Sequence, residues 1–445
     1  MPPALPQTVP ADATRYGLSQ IVNHLLGLEK VVPFEFLVND EMLCSSLGSH
    51  ISSRAISTEG VLEIEYFPAA LPPTPRDDFV HDDWISCASP IGFSSMSKRL
   101  TSPPSSAKEG WVLASGCYDG LVKFWNSSGE VVRQYVAHDY AIKSCAAIGG
   151  IQYLTTADDG SVHVWDVAHV DGASKGEDVK LVARLAGHRS SVESCSVRPD
   201  GERCVTSGWD KEILVWKSGE SLASAAGNAE PSEPGPKRKK RGASKPTDGS
   251  HPSLQVKIAE AAVLDPIGTL SGHTQAVSGL KWVADEQLVS CSWDHSIKVW
   301  DVEMETVLDS FTHNKVIYCV DTPNTSTHAN VIAFGGAEKG IRLWDRRESQ
   351  KQAAFTRSLQ SLESHTRWVS DIKWHPSSEH TILSASFDGS IKLWDVRSAI
   401  PLWTVDAEDA TGEEDKLFCC TWINETSIAY GGTNRTLSTT SLDAR

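Results

Sequence analysis

The sequence predicts an all-β fold, a closed ring of seven four-stranded sheets, preceded by a small α+β segment. Three observations predict it. First, six segments repeat one pattern: YDGLVKFW ending at Trp125, DDGSVHVW at Trp165, WDKEILVW at Trp216, WDHSIKVW at Trp300, AEKGIRLW at Trp344 and FDGSIKLW at Trp394. Second, each carries an acid six residues before its tryptophan: Asp119, Asp159, Asp210, Asp294, Glu338 and Asp388. Third, His138, His188, His273, His313 and His365 precede their tryptophans by 27 to 31 residues. A worn seventh copy, TNRTLSTT, puts Asn434 and Thr440 in the two key places. The copies fall 40 to 51 residues apart, with one interval of 84. A period of about 40–45 residues is that of a propeller blade, one supersecondary unit that needs neighbours to bury its faces.

Within each copy the apolar residues alternate, as in Val122 and Phe124, Ile213 and Val215, or Ile391 and Leu393. Period-two β-branched and large apolar side chains make strands with a buried face. Ser115, Thr155, Thr206, Ser290 and Ser384 stand four residues before their acids. Acid, His, Ser/Thr and Trp together suit a buried hydrogen-bond chain, because polar groups tolerate burial only when paired. Asp-Gly at 119–120, 159–160 and 388–389 supplies the backbone freedom of a tight turn. Near-identical His and Asp sets repeated around a ring are therefore architecture, and no catalytic or metal site is read into them.

These repeats resemble the WD-repeat family, whose fold is a ring of four-stranded blades. In the first blade His81-Asp82-Asp83-Trp84 takes the place of the histidine loop, followed by a Ser/Pro-rich stretch at 96–108. The last copy ends too early for its outer strand, and a segment around 76–80 is expected to supply it. Closing the ring in this way removes exposed sheet edges.

The bulk numbers exclude several classes. A net charge of −16 argues against the whole body gripping nucleic acid. The ten cysteines lack C-x-x-C pairs and fall in apolar strand patterns, so they read as reduced core residues. No stretch approaches 18 apolar residues, so no membrane span is expected. Absence of a P-loop, a G-x-S-x-G or a metal-spaced His/Cys cluster points to a non-enzymatic scaffold without cofactors.

Two regions stand apart. Residues 218–265 read as a disordered insertion carrying Lys237, Arg238, Lys239, Lys240 and Arg241, a run suited to nuclear import. An inert charge run or a contact to RNA phosphate is the competing reading. Residues 1–70 have a different texture: Leu18, Ile21, Val22, Leu25 and Leu26 share a helical face, then Phe34–Val38 and Leu62–Tyr66 alternate as strands. This is the later part of a ubiquitin-like β-grasp, and residues 71–445 form the propeller. No strand pattern precedes the helix, so the β-grasp lacks its first hairpin.

The wording RYGLSQIVNHLL, VPFEFLVNDEML, ISTEGVLEIEY and ALPP resembles the ubiquitin-like domain of the Ytm family, WD-repeat proteins of large-ribosomal-subunit assembly. With the seven blades, the resemblance covers essentially the whole chain. It implies a scaffold of the nucleolus and nucleoplasm on pre-60S particles, acting in rRNA maturation. The implied partners are the block-of-proliferation and pescadillo proteins and the AAA ATPase midasin, which extracts the scaffold. By that resemblance, Glu59 completes a metal site on midasin; without it, Glu59 is a solvated turn residue.

Where the propeller meets a partner is read from the residue before each acid. Tyr118, Trp209, Trp293 and Phe387 are aromatic there, with Arg367 and Trp368 in a neighbouring turn. Large aromatics on a rim suit a protein-binding face, since such side chains dominate hot spots. Local packing is the plainer reading. Alternatives for the whole chain are a Notchless-type assembly factor, a ubiquitin-ligase substrate receptor or a signalling scaffold, because one fold hosts many functions.

Overall fold

The computed structural model describes residues 8–28, 30–39, 41–56, 61–70, 72–91, 111–126, 129–149, 152–166, 179–219, 261–283, 286–324, 330–349, 360–407 and 415–442. It contains seven sheets arranged as blades, antiparallel apart from one added strand. Their innermost strands are β5 (Ile85–Pro90), β9 (Ile142–Ile148), β13 (Val192–Val197), β18 (Val277–Trp282), β22 (Ile317–Asp321), β26 (Val369–Trp374) and β30 (Leu417–Trp422). Each touches the next and β30 touches β5, so the ring is closed.

Closure uses the two ends of the propeller. Strand β4 (Thr74–Val80) pairs antiparallel with β32 (Thr436–Ser441), the outer strand expected near 76–80. Phe79 of β4 stacks on Trp125 of the first blade at 4.8 Å, so the closing strand is also fixed by packing.

The core is not central. Seven apolar clusters each join two neighbouring blades, and the repeat tryptophans Trp165, Trp216, Trp300, Trp344 and Trp394 are buried in them. Every blade therefore depends on its neighbours for burial, and the ring is stable only as a whole.

The insertion is shorter than the sequence suggested. Ser218 is buried, and its hydroxyl donates to the Gly201 carbonyl at 2.7 Å. At the other end β16 (Ala262–Leu264) pairs parallel with β12 (Lys180–Leu185) as a fifth strand on blade two. An apolar Ala-Val-Leu triplet beside an open edge gains a ladder there. The basic run 237–241 lies outside the described residues.

The N-terminal segment holds a three-stranded sheet in the order β2–β1–β3, namely Glu41–Met42, Phe34–Val38 and Ile64–Pro68. Helix α1 (Arg15–Leu26) packs on it, and a second helix, α2 (Leu47–Ser53), was not read from the sequence. Its seven residues carry too little periodicity, although Ser46 caps it by accepting from Ser49 N–H at 3.4 Å. The buried face of α1 is also rotated from the apolar stripe: Leu18, Ser19 and Asn23 are buried while Leu25 is exposed. Three hydrogen bonds cause this. The Asn23 amide bonds both the N–H and C=O of Val32, at 2.8 and 2.7 Å, and Ser19 Oγ accepts from Phe34 N–H at 3.1 Å.

This segment is docked on blade six through Arg397. Its carbonyl accepts from Met42 N–H at 3.3 Å, its guanidinium lies 5.0 Å over the Phe67 ring, and Asp395 holds it bidentately. Trp403 adds a 3.0 Å hydrogen bond to the Ala70 carbonyl. Cys44, expected in the core with the other cysteines, is exposed at this junction, 3.9 Å from Ser398 Oγ; the other nine are buried.

Candidate functional site: an aromatic ring at one end of the propeller

The repeat fixes one end of the ring with great regularity. In every blade the turn between the second and third strands is stapled to the loop before the first. Tyr118, Asp158, Trp209, Trp293, Ala337, Phe387 and Thr433 donate backbone N–H groups to the carbonyls of Trp84, Ala141, Ser191, Ala276, Val316, Trp368 and Lys416, at 2.9–3.0 Å. Gly120 and Gly160 sit in such turns with φ of 81° and 86°. A Cβ at Gly120 would lie 2.1 Å from the His138 carbonyl oxygen, so the Asp-Gly turn admits no side chain there.

Behind the staples lie the predicted polar chains, complete in three blades. In blade three His188 bridges Asp210 and Thr206, both at 2.7 Å, and Trp216 donates its indole N–H to Thr206 Oγ1 at 2.8 Å. In blade four His273 bridges Asp294 and Ser290 at 2.9 and 2.7 Å, and Trp300 donates to Ser290. In blade six His365 bridges Asp388 and Ser384 at 3.0 and 2.8 Å, and Trp394 donates to Ser384. Burial alone raises the carboxyls of Asp294 and Asp388, but the histidine hydrogen bonds win and hold both well below the usual aspartate range.

The other blades depart from the pattern. Among the described residues Asp159 reaches His138 through Ser161, by bonds of 2.6 and 2.7 Å, and His138 stacks on His163. In blade one His81 contacts Ser115 at 3.1 Å and Cys117 at 2.8 Å, and Asp119 is not in the chain. Asp119 caps its turn through Leu121 N–H at 2.9 Å, and burial raises its carboxyl. In blade five Phe334 takes the hydroxyl's place; among the described residues the His313 ring bonds Glu338 alone, at 2.8 Å, and packs edge-on to Phe334. Among the described residues no group of His, Cys, Asp or Glu is placed to hold a metal ion.

The aromatic side chains in front of the staples form a ring. Trp209 contacts Trp293 at 4.9 Å, Trp293 contacts Tyr318 at 5.9 Å, and Tyr318 contacts Trp368 at 5.8 Å. Trp368 then meets Phe387 at 6.1 Å, Phe387 meets Phe418 at 5.8 Å, and Phe418 meets both Trp84 and Tyr118. One gap remains, between Tyr118 and Trp209, and charged groups bridge it. Lys143 Nζ lies 5.5 Å over the Tyr118 ring and 3.7 Å from Glu193, which accepts the Trp209 indole N–H at 2.7 Å. Burial works against the Lys143 ammonium, but Glu193, Tyr118 and Asp158 outweigh it and hold its pKa above the usual lysine value.

The structure thus brings Tyr118, Trp209, Trp293, Phe387 and Trp368 into one surface, with Arg367 exposed in the same turn as Trp368. Trp84, Trp209 and Trp368 remain 42–47% exposed, so the rings pack on one another without being covered. Sequence reasoning missed Tyr318, Phe418, Lys143 and Glu193. All four occupy the second residue of an innermost strand, a position that the signature leaves open. Glu59 lies outside the described residues.

Comparison with known proteins agrees with this geometry. The NLE (NUC135) domain family matches residues 3–51, and the WD domain, G-beta repeat, matches 76–126, 129–166, 179–217, 264–301 and 356–395. A ribosome biogenesis protein WDR12 homolog of Chlamydomonas reinhardtii is 35% identical over 95% of this chain and 88% of its own length. The WDR12 homolog of Oryza sativa subsp. japonica is 32% identical over 96% and 90%, and ribosome biogenesis protein YTM1 of Eremothecium gossypii 30% over 97% and 91%. With likeness of this extent along both the N-terminal segment and the blades, the chain belongs to the WDR12/YTM1 family of ribosome biogenesis proteins.

Proposed function

We propose that this chain is a non-catalytic assembly factor of the large ribosomal subunit, holding its partners through the aromatic ring. The ring is the observation that carries this reading: eight aromatic side chains in mutual contact on one rim, three of them exposed tryptophans. Rigid aromatics of this kind are the usual centres of protein interfaces, because they bury much area at little cost in side-chain entropy. The proposed partners are the block-of-proliferation and pescadillo proteins, within a pre-60S particle of the nucleolus and nucleoplasm. Release is proposed to follow when midasin engages the N-terminal segment through Glu59, and nuclear import to use residues 237–241.

The chemistry supports binding over catalysis. The recurring His and Asp side chains are spent on one another and on buried hydroxyls. Nine of the ten thiols are buried, and those of Cys204, Cys319 and Cys420 are pushed well above the usual range by desolvation.

Affinity purification from nuclear extract tests the proposal. The wild-type chain should recover large-subunit assembly intermediates, Trp209→Ala/Trp293→Ala should lose them, and Glu59→Ala should retain them but resist ATP-driven release. Recovery of cullin ligases or signalling proteins in their place would sink the assembly role. Undiminished recovery by the double tryptophan variant would sink the ring as its docking surface.

A further inference from the structure

The N-terminal segment has a pocket of its own, of about 590 Å³, between the start of α1, the start of β1 and the turn into α2. Tyr16, Val31, Pro33 and Phe34 give it apolar walls, and the Glu35 side chain borders it at 13% exposure. A carboxylate so covered tolerates burial only when it is paired. Glu35 is poorly paired. Its Oε2 is buried with no hydrogen-bond partner among the described residues, and its Oε1 lies 3.8 Å from Arg15 Nη1, beyond hydrogen-bond length. Arg15 itself is 48% exposed. Burial raises the Glu35 carboxyl, Arg15 lowers it only in part, and Asp395 adds to the rise. Arg397, the other cation nearby, is already held bidentately by Asp395.

We infer that this pocket captures an arginine side chain of a polypeptide partner, its guanidinium displacing Arg15 from Glu35 and its methylene stem lying along Tyr16, Pro33 and Phe34. The inference is independent of the aromatic ring. The lining selects the ligand class. A planar guanidinium forks onto a carboxylate through two parallel N–H···O bonds, and its weaker hydration lets it survive burial that an ammonium resists. The Thr14 hydroxyl and the Gln20 amide also line the pocket and make no side-chain hydrogen bond among the described residues, so they supply further acceptors. Because Thr14 gives α1 no side-chain cap, the first turn keeps N–H donors for the carbonyls of the peptide that brings the arginine. Nucleic acid is disfavoured, since its phosphates would face Glu35 on a chain of net charge −16.

Three fluorescent synthetic peptides, Gly-Leu-Xaa-Leu-Gly with arginine, citrulline or lysine at the centre, test this by anisotropy with the full chain. The arginine peptide should bind roughly tenfold more tightly than its neutral citrulline isostere, and roughly threefold more tightly than the lysine peptide. Glu35→Gln should abolish that order, with melting curves establishing that the variant is folded. Arg15→Ala should tighten the arginine peptide by about threefold, because the competing cation is gone. Such a gain cannot come from misfolding. The Trp209→Ala/Trp293→Ala chain should bind the peptides as the wild type does, which separates the pocket from the ring. Citrulline bound as tightly as arginine, an unchanged order in Glu35→Gln, or no gain in Arg15→Ala overturns the pocket assignment. Lysine bound as tightly as arginine overturns the choice of guanidinium. Loss of binding in the double tryptophan variant overturns the pocket as well, and gives the arginine to the aromatic ring.

Discussion

Trp209 gives its indole N–H to the carboxylate of Glu193, 2.7 Å away, and Glu193 in turn faces the ammonium of Lys143 at 3.7 Å. An exposed tryptophan of blade three is thereby tied to the inner strand of blade two, where the aromatic ring is otherwise open. Glu193→Ala is expected to free the Trp209 indole N–H and to leave Lys143 to Asp158 and the Tyr118 ring. Intrinsic Trp fluorescence should shift to the red, and partner binding should weaken by about tenfold, since losing a charged hydrogen bond of this kind costs ~1.5–3 kcal/mol. Unchanged emission and affinity would mean that the clasp does not position the ring.

Ser290→Ala leaves the buried Trp300 indole N–H without its acceptor and His273 Nε2 without its hydroxyl partner. Such a loss costs on the order of 2–4 kcal/mol. Asp119→Asn should cost well under half as much, because Asp119 only caps a turn in a blade whose histidine is bonded elsewhere. Thermal midpoints of the two variants, measured side by side, check the difference; equal losses would contradict the account of blade one.

Acid should destabilise this protein in two stages. Desolvation lowers the His81 pKa to about 3, with the Lys123 charge adding to it. The unfolded chain therefore binds a proton near pH 6.5 that the folded one refuses, and the stability tied to His81 is complete above that pH and lost as pH falls towards 3. Asp294 and Asp388 are depressed carboxyls, so their contribution is present above about pH 4 and lost only below it. Urea midpoints measured from pH 7 to 4 should fall, and His81→Gln should flatten that slope by about one proton. An unaltered slope would show that His81 is not the neutral buried group described here.

Arg397→Ala removes the cation over Phe67 and the ion pair with Asp395, while the backbone contact of Met42 survives. The interaction lost is worth about 1–2 kcal/mol, enough to speed proteolysis near residues 69–73 roughly tenfold. The melting of the propeller should be unchanged. Cleavage at the wild-type rate would show that Trp403 and the Met42 backbone contact hold the junction without the guanidinium.

The periodicity determined much of this architecture. Acid, histidine, hydroxyl and tryptophan at fixed spacings named the blades, their turns and three of their buried polar chains, because each copy repeats one local solution. The same logic located β4, since a ring built of repeats must close on itself. Departures were also partly visible: Phe334 stands openly where a hydroxyl was due, whereas the replacement of Asp119 by Cys117 needed the distance between Cys117 and His81.

What only the tertiary structure decided is which side chains of different blades meet. Tyr318, Phe418 and Lys143 carry no local signature, and their neighbours in the ring lie one blade away. The same holds for the fifth strand on blade two and for the seat of Arg397. The physical reason is one of range. Strands, turns and caps follow from contacts between residues near in sequence, which a repeating pattern records. A surface shared by seven blades exists only once closure brings residues hundreds of positions apart, such as Trp84 and Phe418, within ring contact.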